Sequence, residues 1–179
     1  MKIFKKNIIT LLLIGVSALF LSCKDSSKTI PFDKENTSTF YFFRHAEKDR
    51  TNPLNKNPSL TTQGLERANK WAIFFKDKNI DAVYSTNYKR TRQTALPIAK
   101  EQNIEIISYN PKQLISEKFI AKNKGKNIVI VGHSNTTPEL VNRLLGEKKY
   151  EEIPDTDNND LFIVTHHKNK TSAKREKVN

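Results

Sequence analysis

Cysteine is nearly missing from this chain: Cys23 is the only one in 179 residues. No disulfide can form within one chain, so folding in an oxidising compartment cannot lean on one. The longest apolar run, Ile8 to Leu21, also falls short of the about 20 residues that a hydrocarbon layer of ~30 Å requires, which argues against a retained membrane anchor. Internal repeats and extended low-complexity blocks are absent. Acid is in short supply, with 19 Asp and Glu against 31 Lys and Arg and a formal net charge of +12. Such an excess favours anionic partners. What is present is an ordinary globular composition, 36% hydrophobic and 28% charged. It is too apolar for a wholly disordered chain and long enough for one domain with a core.

The first two dozen residues do not read as part of that domain. Lys2, Lys5 and Lys6, the apolar run, then Ser22 and Cys23 follow the charged, apolar, small-residue order of a secretory signal. Phe20-Leu21-Ser22-Cys23 resembles the lipobox of bacterial lipoproteins, in which the cysteine becomes the first mature residue and carries the lipid; Phe20 departs mildly from the usual aliphatic residue. The expectation is a signal peptide at residues 1–22, a flexible polar tether at 23–38 and a domain at 39–179. The protein is then exported to a bacterial cell envelope, on the periplasmic side or at the surface, and held to the membrane by lipid on Cys23. Loss of Lys2, Lys5 and Lys6 with the signal lowers the charge from +12 to +9. Export and the scatter of the lysines argue against nucleic acid and toward lipid head groups or phosphorylated substrates. The basic tail from Lys168 to Lys177 reads as a solvated end.

Thr39 to Phe43 is a β-rich run with apolar residues at consecutive positions, the pattern of a strand buried on both faces, and Arg44-His45 follows directly. Thr61 can cap a helix whose Leu65, Ala68, Ala72 and Phe75 share one face, widened by Trp71. Asp81 to Ser85 reads as a second strand, and Lys89 to Gln102 as a helix with Pro97 near a bend. Ile104 to Ser108 is a third strand, Lys112 to Lys124 a helix, and Asn127 to Val131 a fourth strand running into Gly132-His133. Pro138 suits the first turn of a helix ending at Gly146, and Leu161 to Thr165 is a last strong strand, with room for a weak polar one behind it. This alternation predicts an α/β three-layer sandwich, a mostly parallel central sheet with helices on both faces. In such sheets, sites form beyond the carboxyl ends of the strands. His45, the Ser85 to Arg90 loop and His133 all fall there.

Arg44, Arg90 and Arg92 offer planar forks suited to phosphate oxygens, while His45 and His133 are imidazoles able to serve as nucleophile, acid or metal ligand. Arg44-His45-Ala46-Glu47 after a strand, Tyr84-Ser85 leading to Arg90-Thr91-Arg92-Gln93-Thr94, and Val131-Gly132-His133-Ser134 resemble the histidine phosphatase (phosphoglycerate mutase-like) superfamily. Leu60-Thr61 with Gly64 and Ala68 matches its first-helix pattern, so the resemblance runs from about Thr39 to Thr165.

The resemblance implies a phosphatase without metal or cofactor that hydrolyses phosphomonoesters or phosphohistidine. His45 attacks phosphorus, Arg44 and Arg90 clamp the phosphoryl oxygens, His133 adds a donor, and Arg92 is a helix neighbour. The physics agrees, because phosphoryl transfer depends on holding the anion in line and stabilising its equatorial charge. Attack needs a neutral nitrogen on His45, its tautomer fixed by a nearby backbone carbonyl. The chain departs from better-known branches in lacking their acidic insertion between Arg90 and His133 and an acidic residue directly after His133. Glu47 is the preferred proton donor, with a salt bridge that orients Arg44 as its competing role. Ser85, Ser134 and Asn135 are candidate phosphate contacts or helix caps. His166-His167 face opposite ways on a strand and are assigned no metal, and the acidic stretch Glu147 to Asp160 reads as a solvated lid-side loop. Expected substrates are a phosphorylated small molecule, a phosphoglycan or a phosphoprotein. Two other readings remain: a catalytically silent phosphate-binding envelope lipoprotein, and zinc held by His45, Glu47 and His133.

Overall fold

Successive side chains of a strand point to opposite faces, so a run of consecutive aromatics fits only a strand covered on both sides. Thr37–Arg44 (β1) is that strand. Phe40 and Phe42 enter one core, Phe43 the other, and all three are fully buried. β1 pairs in parallel with Asn127–Gly132 (β4) and antiparallel with Asp160–His167 (β5). Ala82–Ser85 (β2) lies beyond β4, Ile106–Ser108 (β3) beyond β2, and Lys170–Lys177 (β6) closes the far edge on β5. The order is β3-β2-β4-β1-β5-β6, four parallel strands with an antiparallel pair at one edge. The computed structural model describes residues 36–178, which lie within one unit, Phe32–Asn179. The expected signal, Cys23 and the tether as far as residue 35 lie outside the described residues. Among the described residues no helix is long and apolar enough to cross a membrane.

Two helices cover each face. Thr62–Phe75 (α1) and Lys89–Glu101 (α2) enclose a core in which Phe43 stacks on Trp71 with ring centroids 4.3 Å apart. Such a pair adds about 0.5–1.5 kcal/mol to the area it buries. Glu117–Lys122 (α3) and Thr136–Leu145 (α4) enclose the other, around Phe40, Phe42, Ile128, Ile130 and Phe162. The expected three-layer sandwich with a mostly parallel sheet is therefore observed.

Several local expectations are corrected. The inward face of α1 is Gly64, Ala68, Trp71 and Phe75, and Leu65 is 47% exposed. The helix is turned because its first turn meets the loop after β1: a Cβ on Gly64 would lie 2.2 Å from the Glu47 carbonyl oxygen. β1 starts at Thr37, two residues inside the expected tether. α3 is half the expected length, since Ser116 accepts the Phe119 N–H as an N-cap while Asn110 and Pro111 hold the preceding residues in turns. The basic tail, read as a solvated end, is the edge strand β6, the weak polar strand for which the sequence left room, joined to β5 by Lys168 and Asn169 in a two-residue turn with positive φ. Arg175 and Lys177 on it bind the buried Asp160 carboxylate.

Candidate active site

The carboxyl ends of β1, β2 and β4 open into one cleft of about 670 Å³. Its walls include Arg44 and His45 after β1, Thr86 and Tyr88 after β2, Arg90 on α2, Tyr109 after β3, and His133 to Thr136 between β4 and α4. The four groups expected to converge, Arg44, His45, Arg90 and His133, all line it. α2 and α4 both begin at the cleft, where the positive ends of their dipoles favour an anion.

His45 is 2% exposed, and its backbone N–H donates to the Gly132 carbonyl, 3.0 Å away. Its ring Nδ1 lies 2.7 Å from the Ala46 carbonyl, which can only accept, so Nδ1 carries the hydrogen and Nε2 keeps a lone pair. The expected tautomer control by a nearby carbonyl is thus in place. Burial pushes the His45 pKa from 6.5 down to about 3; the Ala46 hydrogen bond opposes this, and the charges of Arg44 and Arg90 reinforce it. The loop is held from three sides. Ala46 N–H donates to Thr94 Oγ1 on α2 at 2.9 Å, Asn158 Nδ2 donates to the His45 carbonyl at 2.8 Å, and Thr61 N–H donates to the Glu47 carbonyl at 2.9 Å. Ala46, fully buried, has no positive φ, so its methyl group is accommodated.

His133 stands edge-on to His45 with ring centroids 5.6 Å apart. Arg90 Nη2 can only donate, so His133 Nδ1, 3.4 Å away, accepts; Nε2–H then donates to Thr86 Oγ1 at 2.9 Å. The Thr86 hydroxyl passes its own hydrogen to Thr91 Oγ1 at 3.0 Å, and Thr91 donates to the Thr86 carbonyl at 2.8 Å. This hydroxyl chain makes His133 a neutral ring of one tautomer. Burial, then Arg90 and Arg44, push its pKa down to about 4. Both His133 nitrogens are engaged, so donation to a phosphoryl oxygen requires one of these bonds to be exchanged. Tyr88 packs edge-on against His133 at 5.1 Å and under the Arg90 guanidinium at 4.5 Å.

Arg44 is 1% exposed. Its Nη1 donates to the Pro154 and Asp157 carbonyls at 3.1 and 3.2 Å, and its Nη2 to the Asp155 carboxylate. Arg50 also reaches Asp155, at 2.6 Å. The Nε groups of both Arg44 and Arg90 are buried with no hydrogen-bond partner.

Other expectations change. Glu47 lies outside the cleft lining, and its carboxylate accepts from Arg67 Nε on α1 at 2.7 Å, so it neither orients Arg44 nor faces the phosphoryl position. It does not join the two imidazoles as a third zinc ligand, and among the described residues no group of three metal-binding side chains forms. Ser85 is fully buried and donates to the Thr86 carbonyl, shaping the loop rather than meeting a ligand. Asn135 lines the cleft but uses its Oδ1 to cap α4 at Thr136 N–H, 2.9 Å away. Ser134 lines the cleft as well, while Arg92 points to Ser108 on the outer side. His166 and His167 bond separate partners, Thr171 and Thr37. The acidic loop is largely exposed, as expected, and is tied down by Arg44 and Arg50 on Asp155 and by Lys177 on Asp157. Asp155, Lys48, Thr86 and Asn158 were missed in the sequence. Only the odd wealth of acid between Glu147 and Asp160 hinted at the first.

Residues 40–110 match the model of the histidine phosphatase superfamily (branch 1). Phosphoserine phosphatase 1 of Hydrogenobacter thermophilus is 36% identical over 69 residues, a match that spans 36% of this chain and 32% of that protein's length. Among solved structures, the protein histidine phosphatase SixA complexed with tungstate superposes with a TM-score of 0.61 at 16% identity, covering 78% of this chain and 96% of that one. Phosphoglycerate mutase from Bacillus anthracis gives 0.61 at 16% identity, covering 81% and 94%. The family model thus matches the stretch of this chain that carries Arg44, His45 and Arg90, and the solved structures share the fold in which His133 completes the cleft.

Proposed function

We propose that this protein is a phosphatase that hydrolyses phosphomonoesters, or phosphohistidine, through a transient phosphohistidine on His45. The observation that carries this reading is the pairing of buried guanidinium N–H groups without partners, on Arg44 and Arg90, with an imidazole whose free lone pair opens to the same cleft. Leaving such donors unmet costs about 1–3 kcal/mol each, and a phosphoryl oxygen satisfies them. His45 Nε2 bonds to phosphorus while the ester oxygen departs, and water then cleaves the N–P bond to release phosphate. The arginines and the starts of α2 and α4 stabilise the equatorial oxygens throughout.

The relatives named a phosphoserine phosphatase and a protein histidine phosphatase support phosphorylated amino acids or phosphoproteins as the first substrates to test. Only a short strand and helix separate α2 from β4, so no inserted domain narrows the cleft among the described residues. That openness suits a phosphoprotein or an envelope phosphoglycan. The N-terminal pattern supports export and a lipid on Cys23, which assigns the enzyme to substrates outside the cytoplasm. Cys23→Ser is then released from the membrane fraction with its fold intact; continued sedimentation with membranes contradicts the anchor.

The test of the activity is turnover of an activated aryl phosphate by the purified protein with acid-quench detection of phosphoenzyme. Hydrolysis and a phosphohistidine that both vanish in His45→Ala support the enzyme. No turnover by the wild type leaves a phosphate-binding lipoprotein instead.

A further inference from the structure

The cleft offers two carboxylates, Glu152 and Asp155, and only Asp155 is attached to a residue of the phosphate clamp. The loop bearing it is built onto the nucleophile strand: Arg44 takes the Pro154 and Asp157 carbonyls, Arg50 Nη2 takes the Asp155 carbonyl at 2.8 Å, and Asn158 takes the His45 carbonyl. Resting on the phosphatase reading, we propose that Asp155 is the proton donor to the leaving group. It is held by Arg44 and Arg50 in the free cleft and becomes an acid when the phosphoryl group shares the Arg44 guanidinium.

The groups facing Asp155 are Arg44 from β1, Lys48 and Arg50 from the loop that follows, Arg90 from α2, and the neutral rings of His45 and His133. Glu152 and Asp157 share its own segment, the latter bonded to Lys177. Burial raises its pKa, but the Arg50 hydrogen bond and the charges of Arg44, Arg50 and Lys48 outweigh this and keep the free carboxyl below its ordinary value. A bound phosphate dianion reverses the balance. It shares the Arg44 guanidinium and sets negative charge beside the carboxylate, and both changes favour the protonated form. Asp155 takes up a proton from solvent as the dianion binds. As His45 Nε2 bonds to phosphorus, the P–O ester bond breaks, its electron pair leaves on the ester oxygen, and the Asp155 proton passes to that oxygen. In the second half the carboxylate takes a proton from the water whose oxygen bonds to phosphorus, and the N–P pair returns to Nε2. Ester and water become alcohol and inorganic phosphate, with Asp155 again protonated.

The experiment compares an alkyl phosphate with an activated aryl phosphate in the wild type, Asp155→Asn and Glu152→Gln. A poor leaving group needs the proton and a good one hardly does. Asp155→Asn is expected to lower kcat/KM for the alkyl ester by on the order of 10²–10⁴ and for the aryl ester by less than about tenfold. In the unmutated protein the alkyl rate falls on the alkaline side where the aryl rate holds, a readout that needs no variant to fold. Equal losses on both esters, the mark of a merely structural tether, or a selective loss in Glu152→Gln, overturn the assignment of Asp155 and leave the phosphatase reading standing. A wild type active on neither ester overturns both.

Discussion

Acidification should destabilise this fold through His45, the nucleophile of the proposed reaction. In the native state His45 has a pKa of about 3 against an ordinary 6.5, because its ring is buried beside two guanidinium groups. Between about pH 6.5 and about pH 3 the unfolded chain binds a proton at this position that the native state refuses. Stability therefore rises with pH across that window: it is fully present above about 6.5 and is lost as pH falls toward 3. At about pH 5 the unfolded ring lies some 1.5 units below its pKa, while the native ring is still neutral. At 1.36 kcal/mol per unit the loss is roughly 2 kcal/mol from this group. For a domain of this size, that is a fall of roughly 4–8 °C in Tm. The assay is urea unfolding of the wild type and His45→Gln at about pH 7.5 and about pH 5. Carboxylates such as Asp155 and Asp160, also held below their ordinary pKa, contribute to acid loss in both proteins and cancel in the comparison. The wild type is expected to lose roughly 2 kcal/mol more than the variant on acidification. Parallel losses, within about 0.5 kcal/mol, would refute the claim that His45 is held neutral by burial.

Three further outcomes follow from single contacts. Arg44→Lys keeps the charge but cannot hold the Pro154 and Asp157 carbonyls and a phosphoryl oxygen together, so kcat/KM for an aryl phosphate should drop by on the order of 10²–10³; a change under about threefold contradicts the clamp. Thr86→Val leaves the His133 Nε2–H without its acceptor and interrupts the chain to Thr91, which should lower unfolding free energy by about 1–3 kcal/mol in urea titrations. An unchanged midpoint would argue that His133 is not fixed this way. Gly64→Ala drives a methyl into the Glu47 carbonyl oxygen, a backbone atom that yields only if the nucleophile loop moves, so about 1–3 kcal/mol and several degrees of Tm should be lost; a wild-type melting curve counts against the close approach.

By itself the sequence determined the layers and the places where chemistry gathers. Consecutive apolar residues in β1 and β4, alternating with helical stretches, permit little except a sheet covered on both faces, and strand ends then gather Arg44, His45 and His133, while the choice of Arg90 over Arg92 rested on the family resemblance. These features are local or periodic, so a one-dimensional pattern carries them. Only the tertiary structure decided the rest. β6, for which the sequence left room only as a weak polar strand, has no apolar alternation and is held because β5 offers an edge and the buried Asp160 attracts Arg175 and Lys177. Which carboxylate lines the cleft depended on distant contacts: Arg67 draws Glu47 away, while Arg44, joined by Arg50, pulls in Asp155 from 111 residues along the chain. Ion-pair partners are chosen by three-dimensional proximity and desolvation, and residue spacing along the chain records neither.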